Sequence, residues 1–139
     1  MDDKSFTFKS RDDVWLTNFK AFAGPCEIQF CQQKRSLALE LSMAVIAEVR
    51  RIENKFSRYL PDSSISQINL SRGARFALDP ETARLLEFAN KCWQLSSGMF
   101  DISSGILGRI WKFETSATPP ARALIKSCLK NIGWHKIKL

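Results

Sequence analysis

Two stretches gather side chains able to hold a ligand. In residues 56–69 (Phe-Ser-Arg-Tyr-Leu-Pro-Asp-Ser-Ser-Ile-Ser-Gln-Ile-Asn), what reads as a helix end is followed by an aromatic ring, a carboxylate and several hydroxyls. Residues 97–113 (Ser-Gly-Met-Phe-Asp-Ile-Ser-Ser-Gly-Ile-Leu-Gly-Arg-Ile-Trp-Lys-Phe) form a glycine-hinged loop with large rings and one acid. A flat heteroaromatic ligand asks for this mixture, with rings to stack on its face and polar groups to fix its edge. An ordinary turn and a core-filling aromatic run would use the same residues, and composition alone favours that plainer account. Other chemistries fare worse. The single histidine, His135, rules out a histidine-based metal cluster and could serve a Ser/His/Asp triad only alone; a structural or merely exposed role suits it better. No Walker loop and no GxGxxG occurs, and Gly-Ile-Leu-Gly at 105–108 is too short for a phosphate loop. Cys26, Cys31, Cys92 and Cys128 lack CxxC spacing and read as buried free thiols.

The elements that must position these residues follow from periodicity. Val14–Ala21 alternates as a strand with Trp15, Thr17, Phe19 and Ala21 on one face, and residues 26–30 alternate more cleanly. Ala23, Gly24 and Pro25 between them supply a turn, so the two form an antiparallel hairpin. From Arg35 to Phe56 apolar residues recur at Leu37, Leu41, Val45, Val49, Ile52 and Phe56, a helical stripe expected to lie on the hairpin. Pro61 disfavours helix at Leu60, and the Ile65/Ile68 spacing suits a further helical turn. Asp79 and Pro80 open a helix with Leu85, Phe88 or Ala89, Cys92 and Trp93 inward and Gly98 as its left-handed stop. Thr118-Pro119-Pro120 opens another, with Leu124, Ile125, Cys128 and Leu129 inward and Gly133 at its end. Residues 134–139 alternate as a last strand. The order predicts an α+β fold, a mostly antiparallel sheet of hairpin plus C-terminal strand covered by two to three helices, in a single domain over 1–139.

Composition agrees with a folded domain. The chain has 139 residues with 45% apolar side chains, enough to bury about 68–70% of its unfolded surface. No stretch approaches the roughly 18 uninterrupted apolar residues of a membrane helix. Asp2 and Asp3 stand where a secretory signal carries Lys or Arg, so a cytoplasmic location is expected. Lys and Arg number 21 against 14 Asp and Glu, a net charge of +7 scattered along the chain. That balance suits a solvated basic surface, and it also admits a rival reading, a non-catalytic basic module binding nucleic acid or a partner protein.

At the two ligand-like stretches the chain resembles the ApbE family, the FAD:protein FMN transferases once named thiamine-biosynthesis lipoproteins. Three stretches match in the family's order: Ala-Phe-Ala-Gly-Pro-Cys-Glu-Ile at 21–28, residues 56–69, and Gly-Met-Phe-Asp at 98–101 running on to Gly-Ile-Leu at 105–107 and Trp-Lys-Phe at 111–113. Ile-Gly-Trp-His-Lys-Ile at 132–137 is similar to the family's stretch after its Pro-started helix. Their joint order and spacing make the resemblance specific. It implies that Tyr59 contacts FAD, that Met99, Phe100 and Asp101 form the flavin-binding tripeptide, and that Trp111 lies near the pocket or in the core. Phe22 falls where relatives usually carry a Met that touches FAD, followed by Gly and Thr; here Ala23 and Gly24 follow. Asp62 and Ser63 are expected to cap the adjoining turn.

The implied reaction moves FMN from FAD onto a Thr or Ser hydroxyl of a target flavoprotein and releases AMP. It requires Mg²⁺ at the pyrophosphate and a positioned base or carboxylate. In the family those metal ligands follow the stretch where this sequence stops. The resemblance therefore implies an N-terminal half, with part of the FAD pocket, no metal ligands and no transfer activity of its own, unless a complementing C-terminal half completes it.

Overall fold

The computed structural model describes residues 6–31, 34–112 and 118–137. The chain divides into two compact units, Met1–Phe76 and Ala77–Leu139.

The first unit is a three-stranded antiparallel sheet in the order β1-β2-β3, from β1 (Thr7–Arg11), β2 (Val14–Ala21) and β3 (Gly24–Phe30), followed by helices α1 (Arg35–Phe56) and α2 (Ser64–Leu70). Thr17, Phe19 and Ala21 point from β2 into the core, as the alternation predicts, and Leu16 on the other face is buried too. Phe19, Ala21 and Ile46 form the apolar centre, with Cys26, Ile28 and Val49 packed against it. The helix bounds agree with the sequence reading, and Val49, Ile52 and Phe56 of the expected stripe are half-buried, but the first half of that stripe does not face inward. Ala38, Ser42 and Ile46 are buried, whereas Leu37, Leu41 and Val45, one residue earlier in each turn, are exposed. Small residues at 38 and 42 let the helix lie close on β2, and they give a buried polar group its partner. The Ser42 hydroxyl donates to the Ala38 carbonyl at 2.7 Å, so its single proton is used, and the Thr17 hydroxyl 2.7 Å away donates to Ser42.

The second unit holds α3 (Pro80–Leu95), a 3₁₀ segment Ile102–Arg109, α4 (Arg122–Leu129) and a 3₁₀ turn Trp134–Lys136. Asp79 caps α3 as expected, accepting the amides of Glu81 and Thr82 at 3.0 and 3.2 Å. Leu86, Ala89 and Trp134 form the core, with Leu78, Trp93 and Ile137 against it. Of the inward face expected for α3, Ala89 is buried, Trp93 packs against the core and Cys92 is half-buried, whereas Leu85 and Phe88 are exposed and Leu86 is buried instead. On α4, Leu124 and Leu129 are exposed while Ile125 and Cys128 are half-buried. That helix opens at Arg122, beyond the prolines, and closes four residues before Gly133.

The fold is α+β with an antiparallel sheet, but the sheet's third strand is β1 and not a C-terminal one. Residues 134–136 coil instead: Gly133 has φ +149°, Lys136 donates to the Gly133 carbonyl at 3.0 Å and Ile137 to that of Trp134 at 2.8 Å. Burial of the Trp134 ring against α3 wins over the local alternation. Lys138, Leu139 and Phe113 lie outside the described residues. Of the cysteines, Cys31 is exposed and the other three are half-buried, all unpaired, so the reading of buried thiols was too strong.

Candidate functional site

In the first unit the candidate residues are Phe22 and Tyr59. The register pairs Ala21 with Gly24, which leaves Phe22 and Ala23 as a two-residue turn. Both take left-handed conformations, φ 53° and 61°, the geometry a tight hairpin requires and one that is costly for residues other than Gly, Asn or Asp. The turn is therefore one position earlier than the sequence suggests. Gly24 and Pro25 belong to β3, an edge strand where a proline's missing N–H does no harm. The Phe22 amide donates to Glu53 Oε1 at 2.6 Å, so the end of α1 fastens the turn, and the Phe22 ring stays exposed. A shallow groove of about 390 Å³ runs beside it, lined by Lys20, Ala21, Ala23, Gly24, Pro25 and Glu53. None of the candidate residues, Phe22 included, is among those lining that groove.

Tyr59 follows the end of α1, its amide donating to Ser57 Oγ at 3.2 Å. Its ring is 75% exposed, with the Arg58 guanidinium 4.9 Å from its centre. Ser63 caps α2 by accepting the Ser66 amide at 3.1 Å, while the exposed Asp62 takes no part in that cap.

The second unit carries Met99, Phe100, Asp101 and Trp111. Helix α3 ends with Ser97 and Gly98 in left-handed conformations, φ 52° and 83°, and the Gly98 amide donates to the Trp93 carbonyl at 2.8 Å. Met99 is then 89% exposed, and Phe100 is exposed with its amide tied to Ser96 Oγ at 2.9 Å. Asp101 opens the 3₁₀ segment. Its Oδ1 accepts the Ser103 amide at 2.9 Å and the Ser103 hydroxyl at 2.6 Å, and its Oδ2 accepts the Trp134 amide at 2.8 Å. Burial is the largest single influence on this carboxyl and acts upward. The Ser103 hydroxyl, the Ser103 and Trp134 amides and the charge of His135 together outweigh it, holding the group below the ordinary carboxylate value. Asp101 is thus an anion at neutral pH, an acceptor only, with three of its roughly four lone-pair positions filled. Trp111 is 38% exposed and lies at the surface of its unit, its core alternative set aside.

Ser103, Gly133 and Glu53 are the residues that the sequence reading missed. Ser103 had a local signal, since Asp-x-Ser after a glycine stop is a capping pattern. In the sequence Gly133 reads as a helix stop, and Glu53 emerges only from the register of helix against hairpin. Among the described residues no three His, Cys, Asp or Glu side chains converge to hold a metal ion, and no helix is long and apolar enough to cross a membrane.

The sequence profile of the ApbE family matches residues 22–139, which takes in every candidate residue above. The chain belongs to the ApbE family. The fold agrees: the crystal structure of the ApbE protein from Thermotoga maritima matches 88% of this chain with a TM-score of 0.73 at 24% sequence identity. The match takes in 40% of that protein, so this ApbE-family chain spans well under two thirds of its solved relative. No curated protein matches it.

Proposed function

We propose that this chain is the flavin-binding N-terminal part of an FAD:protein FMN transferase. In the full reaction a Thr or Ser hydroxyl oxygen of a target flavoprotein forms a bond to the FMN phosphorus, the pyrophosphate P–O bond breaks, AMP leaves, and the hydroxyl proton is released. Family membership supports the reaction class. The observation that carries the binding reading is the 98–101 loop, where two exposed side chains adjoin a carboxylate fixed as an acceptor. Such a loop offers an apolar surface to a flavin ring and an anion to a ring or ribose donor. Tyr59, Phe22 and Trp111 are further exposed rings assigned to the same ligand. The described residues do not fit a Mg²⁺ site, since no acidic cluster forms among them. The two units are read as parts of one ApbE-like domain that a further C-terminal portion, in this or another chain, completes. The unpaired thiols accord with a reducing, cytoplasmic setting.

Alanine variants at Tyr59 and Phe100 test the reading. Each is expected to weaken FAD binding by roughly three- to tenfold, the worth of one ring contact. Variants that bind as tightly as the parent would remove these rings from the site.

A further inference from the structure

The 98–103 loop is pinned at more points than a capped turn needs. At its start, Gly98 donates to the Trp93 carbonyl and Phe100 to Ser96 Oγ. At its end, Ser103 works in both directions. Its hydroxyl donates to Asp101 Oδ1 at 2.6 Å and accepts the Gly133 amide at 2.8 Å. Asp101 Oδ2 takes the next amide, that of Trp134, at 2.8 Å. Two consecutive backbone donors thirty residues away are thus held by one carboxylate and one hydroxyl. Trp134 is itself fixed, buried against Leu86 and Ala89 of α3. A Cβ at Gly133 would meet the His135 ring inside van der Waals contact and force that exposed side chain to turn, and the φ of +149° disfavours any other residue.

We propose that Asp101 and Ser103 act as one clasp, fastening the loop to the turn at Gly133 and Trp134, and that Ser103 is thereby a positioning residue for Met99 and Phe100. The positioning role rests on the flavin reading above; the clasp itself does not. Met99 and Phe100 lie on the short span between the anchored Gly98 and the clasped Asp101, so the backbone that carries their exposed side chains is held in place before any ligand arrives. Such preorganisation spares the ligand the ordering of a glycine-hinged loop. Only a side chain that both donates and accepts can occupy position 103, so Thr should serve there and Ala should not.

The test compares Ser103→Ala with Ser103→Thr in the full chain, by FAD titration and by hydrogen exchange at the Gly133 and Trp134 amides, with circular dichroism as the check on folding. Ser103→Ala is expected to exchange the Gly133 amide roughly tenfold faster and to lose roughly tenfold in FAD affinity, the worth of one hydrogen bond. Ser103→Thr should restore both. Parent-like exchange and affinity in the Ala variant, or a Thr variant as impaired as the Ala one, would overturn the clasp. Faster exchange with undiminished FAD affinity would overturn the positioning role alone and leave the flavin reading standing. A parent chain that binds no FAD would overturn the flavin reading and the positioning role with it, while exchange still decides the clasp.

Discussion

Replacing Asp101 with Asn keeps the shape of the side chain and removes its charge and one acceptor. In the parent, Oδ1 faces two donors from Ser103 and Oδ2 faces the Trp134 amide. An amide NH₂ in either orientation therefore meets at least one N–H head-on. The site is partly open to solvent, which discounts the charge-assisted bonds, and a lost cap of this kind is worth about 1–2 kcal/mol. With a urea slope of about 1–3 kcal/mol/M, the midpoint should fall by roughly 0.3–2 M, read from the emission of the chain's four tryptophans. The pH dependence supplies the decisive control. Because the folded carboxyl is held below its ordinary value of 3.8, its stabilisation is complete above the unfolded value and is lost as pH falls through the lowered one. The gap between parent and Asp101→Asn should be full at pH 7 and should close in strong acid. Equal midpoints at pH 7, or a gap that survives acidification, would refute the reasoning.

Two other outcomes follow from the packing and the backbone. Ser42→Ala strands the buried Thr17 hydroxyl and should destabilise by about 1–3 kcal/mol, while pairing it with Thr17→Val recovers much of that loss, as a thermal-melt comparison would show. Ala23→Gly relieves a left-handed residue with no side chain worth keeping and should stabilise by about 1 kcal/mol in urea unfolding; a loss would mean the turn is unstrained.

Much of this architecture is legible in the chain, and its failures share a cause. Local signals held where the deciding physics is local. Asp79 and Pro80 start α3, Gly98 stops it, Ser63 caps α2, and helix periodicity places α1. What periodicity could not choose was which of two neighbouring stripes faces inward. On α1 and α3 the large apolar side chains at 37, 41, 45, 85 and 88 are exposed, because the packing interface takes the smaller Ala38, Ser42 and Ala89. The last segment failed for a related reason: its alternation resembles a strand, yet Gly133 and the long-range pull of Asp101 on the Trp134 amide coil it. At the candidate site, the residue types suited a ligand surface or an ordinary turn and aromatic core alike, and only the family resemblance assigned them to a flavin. Ser103 beside Asp101 is a local capping signal, but Glu53 for Phe22, Trp134 for Asp101 and Gly133 for Ser103 come from distant parts of the sequence, where no spacing rule reaches.

The proposed function stands on flavin dinucleotide binding by these residues. Isothermal titration of the full chain with FAD measures it most directly. Saturable heat with one FAD per chain is the predicted result, and the absence of any heat of binding at millimolar FAD would contradict the account.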